Sequence, residues 1–179
     1  MQCRSLENND SIYQAHCKDC DTILGYRDPQ TEGIRLQKPY LALSSQRDST
    51  TRSYDAAHWF SCHLNQAIET QGVRKFVFPT LPHEIWVFST NLAYSSLECS
   101  EPKQAMKVLF KAREEGQDVE TLRAGNLLIE TLTLSPSLEE LFYQVLQQEN
   151  AKLPESLQSL MGWQVAVLPI LYSSGSTKA

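Results

Sequence analysis

The chain predicts an α+β fold, a mostly antiparallel sheet with two long helices packed on one face. Apolar residues recur at helical spacing over residues 57–71 and again over 138–146. Between and after these stretches lie short segments rich in β-branched and aromatic residues, separated by Pro and Gly. The 179 residues can bury a real core, and no internal repeat is present.

Residues 1–33 are polar and punctuated by Gly25, Pro29 and Gly33, which predicts an irregular N-terminal segment around a Cys-x-x-Cys turn. Residues 34–179 are expected to form a C-terminal α+β domain. Ile34, Leu36, Tyr40 and Leu43 around Pro39 suggest an edge or interrupted strand, and the Ser, Thr and Arg-rich residues 44–53 a loop. Ser53 is placed to cap a helix in which Ala57, Phe60, Leu64, Ala67, Ile68 and Gln71 recur at helical spacing, with Gly72 ending it. Residues 73–79 and 85–90, joined through Pro79-Thr80-Leu81-Pro82, read as a hairpin. Over residues 105–111, Met106, Val108 and Phe110 alternate with Lys107 and Lys111, predicting a strand with one wet face, although Leu109 falls on the lysine side.

Residues 126–134 alternate as another strand. Ser135-Pro136 then signals a helix start, because the proline's missing N–H costs nothing in a first turn. Leu138, Leu141, Phe142, Val145 and Leu146 form its apolar stripe. Leu153-Pro154-Glu155 opens a short further helix, and residues 162–170 return as a final strand.

The formal charge of −5 and pI near 5.4 leave no general basic field for a phosphate backbone, so direct nucleic-acid binding is not expected. No signal peptide is apparent, and the longest apolar stretch, residues 165–172, is too short to cross a bilayer and contains Pro169. A soluble intracellular protein is expected. Its five cysteines, an odd number with one pair spaced as a metal knuckle, suit a reducing compartment.

That pair is Cys17-Lys18-Asp19-Cys20, followed by Ile23-Leu24-Gly25. Two thiolates on a tight turn grip half of a tetrahedral Zn²⁺ site, and Gly25 suits the left-handed backbone of a knuckle. Three accounts are open: Cys3 and another side chain complete the site, an upstream segment completes it, or the thiols are free. His16 adjoins the first thiol, but a neighbour on a tight turn rarely points at the same ion.

No Gly-rich phosphate loop, Gly-x-Ser-x-Gly elbow or His-Glu-x-x-His appears. Thiol chemistry remains. Cys62, with His58 one helical turn earlier and His63 beside it, is the candidate nucleophile, against the plainer reading of a half-buried helix cysteine. Cys99 lies between Glu98 and Glu101, which would raise a thiol pKa and work against a resting nucleophile. Trp86, Trp163 and Tyr94 read as core aromatics, and the lysines at 103, 107 and 111 as a solvated strand face.

Four blocks in succession resemble the C-terminal half of the HECT-like ubiquitin-conjugating-enzyme-binding family. They are Cys17-Lys18-Asp19-Cys20-Asp21-Thr22-Ile23-Leu24-Gly25, Glu84-Ile85-Trp86-Val87-Phe88-Ser89-Thr90-Asn91-Leu92-Ala93-Tyr94, Gln104-Ala105-Met106-Lys107-Val108-Leu109-Phe110, and residues 150–157 leading into Trp163-Gln164-Val165-Ala166-Val167. The resemblance implies that the chain is a fragment or split-off domain. An upstream β-rich region would then supply the cysteines that complete a structural zinc site with Cys17 and Cys20. It also implies binding to a ubiquitin-conjugating enzyme, ubiquitin-ligase activity, and maintenance of the endonuclease of mRNA 3′-end processing, in nucleus and cytoplasm. A true HECT ligase carries its thioester-forming cysteine near the chain end, whereas no cysteine follows Cys99 here. Ser61-Cys62-His63 is the nearest likeness, so the resemblance transfers no catalytic residue.

Overall fold

The computed structural model describes residues 2–4, 14–28, 31–44, 51–53, 55–96, 99–114, 116, 118–125 and 128–170. Strands β1 (Gln2–Arg4), β2 (Gln14–His16), β3 (Ile23–Arg27) and β4 (Ile34–Leu36) pair in that order as an antiparallel sheet. Irregular structure was expected over much of this stretch. Strands of three to five residues carry too little alternation to be read from composition, because backbone hydrogen bonds rather than apolar side chains hold them. Gly25 is required here, but not for a left-handed backbone: a Cβ on it would run into the Arg35 carbonyl oxygen of β4. The left-handed residue of the turn is Asp21, at φ 57°.

A 3₁₀ turn with Pro39 at its start, Lys38–Tyr40, separates β4 from β5 (Ala42–Ser44), so the strand expected over residues 34–43 is interrupted. Strand β5 pairs antiparallel with β6 (Thr51–Ser53). The stretch expected as a loop thus carries a strand at each end. Ser53 belongs to β6, and Asp55 is the residue that directly precedes the helix. Contacts divide the chain into two compact units between Asp55 and Ala56.

The second unit opens with α1 (Ala56–Gln71), which Gly72 ends at φ 71° with its N–H donating to the Ile68 carbonyl. It continues through β7 (Lys75–Val77), β8 (His83–Ser96), β9 (Cys99–Ala112), α2 (Val119–Gly125) and β10 (Ile129–Thr131). Helix α3 (Pro136–Ala151), β11 (Ser159–Leu160) and β12 (Trp163–Pro169) follow. The strands form one sheet in the order β10-β7-β8-β9-β12-β11. All pairings are antiparallel except β10 beside β7, which is parallel and follows the return of the chain through α2. The expected strand over residues 126–134 is confined to β10, with residues 126 and 127 outside the described set. Helix α2, seven residues long, is too short to show a periodic stripe. The short helix expected after Leu153 is a 3₁₀ turn, Glu155–Leu157.

Helices α1 and α3 both pack on β12 and on each other, which puts the two long helices on one face of the sheet. The contact is aromatic: Phe60 of α1 stacks on Phe142 of α3 with centroids 4.2 Å apart, and Phe78 meets Phe142 edge-on at 5.7 Å. Ile85, Val87, Met106, Val108 and Phe110 rise from β8 and β9 to meet the helices, each no more than 1% exposed. Ser135 caps α3, its hydroxyl oxygen accepting from the Leu138 N–H at 3.4 Å.

Two polar side chains inside this core escaped the sequence reading. Glu139 of α3 is fully buried, and its Oε2 accepts from the Thr80 hydroxyl (2.5 Å), the Thr80 N–H (3.2 Å) and the Leu81 N–H (3.1 Å). It anchors the connection between β7 and β8. Ser61, 1% exposed, donates to the Pro169 carbonyl at 2.7 Å and thereby ties α1 to the end of β12. The Asn150 amide donates to the Val165 and Gln158 carbonyls, both at 2.7 Å, fastening α3 to β12 and to the turn before β11.

Candidate functional site

The first thiol feature is the turn after β2. Cys17 N–H donates to the Thr22 carbonyl and Asp21 N–H to the Cys17 carbonyl, closing a compact loop around Cys17 and Cys20. The Cys20 sulfur lies 3.2 Å from the Thr22 hydroxyl, and Cys20 is exposed while Cys17 is half-buried. Hydrogen bonding to the Thr22 side chain, then its backbone, then Cys17 holds the Cys20 thiol below its ordinary value. His16 is engaged elsewhere, with Nδ1 3.0 Å from the Asp21 carbonyl and Nε2 3.2 Å from the Gln14 side-chain oxygen. Among the described residues no cluster of three or more His, Cys, Asp or Glu side chains is assembled. The turn therefore offers two sulfurs, half of a closed Zn²⁺ donor set. Register puts the backbone of Cys3 opposite Ala15, two residues before Cys17, while the Cys3 side chain is outside the described residues.

The second is Cys62 on α1. It is exposed and lines an open groove of about 400 Å³ with Asn65, Glu69, Thr90 and Asn91, floored by Met106. The sequence pairs it with His58 and His63. His63 turns toward Trp59, stacking on it with centroids 5.2 Å apart and planes within 6°, and burial pushes its pKa down. The His58 carbonyl accepts from Ser61. The Cys99 side chain lies outside the described residues.

The third feature was read differently from the sequence. Strand alternation sends Ile85 and Val87 toward the helices and Trp86 the opposite way, and Leu109, Val165 and Trp163 share its side through the β8–β9–β12 register. Trp86 and Trp163 are half-buried and meet edge-on at 6.1 Å, with Leu109 and Val165 buried between them. Phe88, 46% exposed, packs edge-on against Trp86 at 5.4 Å. These rings form the sheet face turned away from the helices. Two of the lysines expected to be merely solvated lie over them, Lys107 5.2 Å from the Phe88 ring centre and Lys111 4.7 Å from that of Trp163, and Lys75 of β7 stands 5.0 Å from Trp86. Glu84 lies 3.7 Å from Lys111 and its side chain is 13% exposed. Leu109, which blurs the wet-face pattern, is the apolar floor of this face. The signal in the sequence was aromatic and lysine residues at alternate positions of adjacent strands; which side they occupy depends on where the helices pack.

The arrangement is that of an α+β recognition domain whose open sheet face combines rings and cations. The HECT-like ubiquitin-conjugating enzyme (E2)-binding family model matches residues 2–165, and the chain belongs to that family. No curated protein and no solved structure matches the chain. Among the described residues no helix is long and apolar enough to cross a membrane.

Proposed function

We propose that the chain is a recognition domain that binds a ubiquitin-conjugating enzyme and a client protein, in support of ubiquitin transfer. The client is the endonuclease of mRNA 3′-end processing, met in the nucleus and cytoplasm. The observation that carries the reading is the family match across nearly the whole chain. The four-block resemblance supports the client, and the open ring-and-lysine face gives a folded partner something to grip. Purified conjugating enzymes and the endonuclease, each tested for capture by the tagged chain, decide the matter. Binding to neither removes its basis.

A structural Zn²⁺ belongs to the same reading, gripped by Cys17 and Cys20 and closed by residues outside this chain, with Cys3 and another side chain as the near alternative. Bound zinc would fix the turn and supply folding energy to the unit that carries it. Metal content of the chain and of a version extended at its N-terminus tests this, with Cys17→Ser and Cys20→Ser as controls. Zinc in neither form ends it.

The exposure of Cys62 in its groove favours one second reading, a thioester-forming ligase. The Cys62 sulfur would attack the carbonyl of a conjugating-enzyme–ubiquitin thioester and expel the conjugating enzyme's thiolate. Incubation with the charged enzyme would then yield a reductant-sensitive ubiquitin adduct lost in Cys62→Ala. An adduct that survives the substitution excludes this residue.

A further inference from the structure

We infer that the sheet face built from Trp86, Phe88 and Trp163 is where the conjugating enzyme docks, and that the enzyme meets it with an acidic surface whose carboxylates pair with Lys107 and Lys111. The inference rests on the family reading above and adds to it a location and a charge.

Charge carries the argument. Alternation along β9 puts Lys107 and Lys111 on this face beside the rings, and Lys75 joins them from β7. Around the rings, Glu84 is the carboxylate that register places with them, opposite Lys111, and it already lies against that lysine. Three lysines against one glutamate around the rings make a local positive field on a chain whose formal charge is −5. An acidic partner is repelled by the molecule as a whole and attracted here, which orients the encounter.

The rings supply the second half of a docking surface. Half-buried tryptophans with an exposed phenylalanine beside them give apolar area at low entropic cost, rimmed by cations, the composition that interface centres favour. A single-stranded nucleic acid would also seek rings and lysines, but it needs open ring planes for its bases. Here the tryptophans meet edge-on, and each of the three rings has an ammonium group over it. The lysines are set to receive carboxylates beside the rings rather than to leave the rings open for stacking.

The test uses the full chain with purified conjugating enzymes, affinity being measured by calorimetry and fold by circular dichroism. Lys107→Glu with Lys111→Glu should weaken binding by about tenfold or more, and Phe88→Ala by several-fold. Lys152→Glu, at the end of α3, should stay within about twofold. Wild-type affinity should fall between about 50 and about 300 mM salt, with a flatter dependence in the double variant. If the folded double variant binds as the wild type does, the face is wrong while the family reading stands. If the wild type binds no conjugating enzyme, both fail. Binding of an oligothymidylate probe that the double variant abolishes, with enzyme binding unchanged, overturns the inference in favour of nucleic acid.

Discussion

Glu139 shows how much one side chain can decide. Itself fully buried, it satisfies through Oε2 two backbone N–H groups and a hydroxyl in the part-buried connection between β7 and β8. Glu139→Ala leaves those donors without their acceptor, and urea unfolding should register a loss of about 2–3 kcal/mol, with Glu139→Gln losing less. His63 and His83 set a pH dependence. Burial lowers both, with the Arg113 charge adding to the effect at His83 and Glu140 opposing it. Each then binds a proton more readily in the unfolded chain, so its contribution is complete above the ordinary value of 6.5 and is lost as pH falls through the lower folded value. Urea midpoints should decline below about pH 6.5, and less steeply in a His63→Gln, His83→Gln variant. None of this was legible beforehand. A glutamate in a polar-looking register and a histidine in a hairpin carry no local mark of what will cover them.

At the scale of elements, the helices were the most legible part. Their stripes recur every three or four residues whatever they pack on, and Phe60, Leu64, Leu138 and Phe142, all at helical spacing in the sequence, are buried. The Ser135-Pro136 start is equally local, since the cap bond spans three residues. Ser135→Ala should cost about 1 kcal/mol and leave the fold intact, read from the thermal midpoint. Phe142→Ala removes the ring between Phe60 and Phe78 and should cost about 3–5 kcal/mol by urea unfolding. Short strands were legible only where their alternation was long enough. Strand β9 was foreseen in part, whereas β1 to β3 depend on partners brought alongside, and the parallel placement of β10 depends on a crossover. The two-residue turn Met161-Gly162 between β11 and β12 has both residues at positive φ, 52° and 80°, which marks it as a tight hairpin.

For the whole molecule, the sheet separates two surfaces with different prospects. Cys62 lies over the helix-facing side, where its groove is floored by Met106, and the lysine rows lie over the other. Cys62→Ala should therefore leave affinity for a conjugating enzyme within about twofold of wild type by calorimetry, since side chains with no shared partners act independently. A larger loss would move the interaction to the helix side. The Cys17/Cys20 turn belongs to the first compact unit. Replacing both thiols by Ser tests zinc there by metal content.

By itself the sequence determined the fold class, the two helices with their buried stripes, the half-site spacing of Cys17 and Cys20, and the family, because each is written in local periodicity, local turn chemistry or a succession of short motifs. Only the tertiary structure decided that Gly25 is needed for close strand approach, that Glu139 is buried, and that Trp86 and Trp163 share an open face with Lys107 and Lys111. Those outcomes turn on which side of the sheet the helices cover and which strands become neighbours. Contacts between residues far apart in the chain set both.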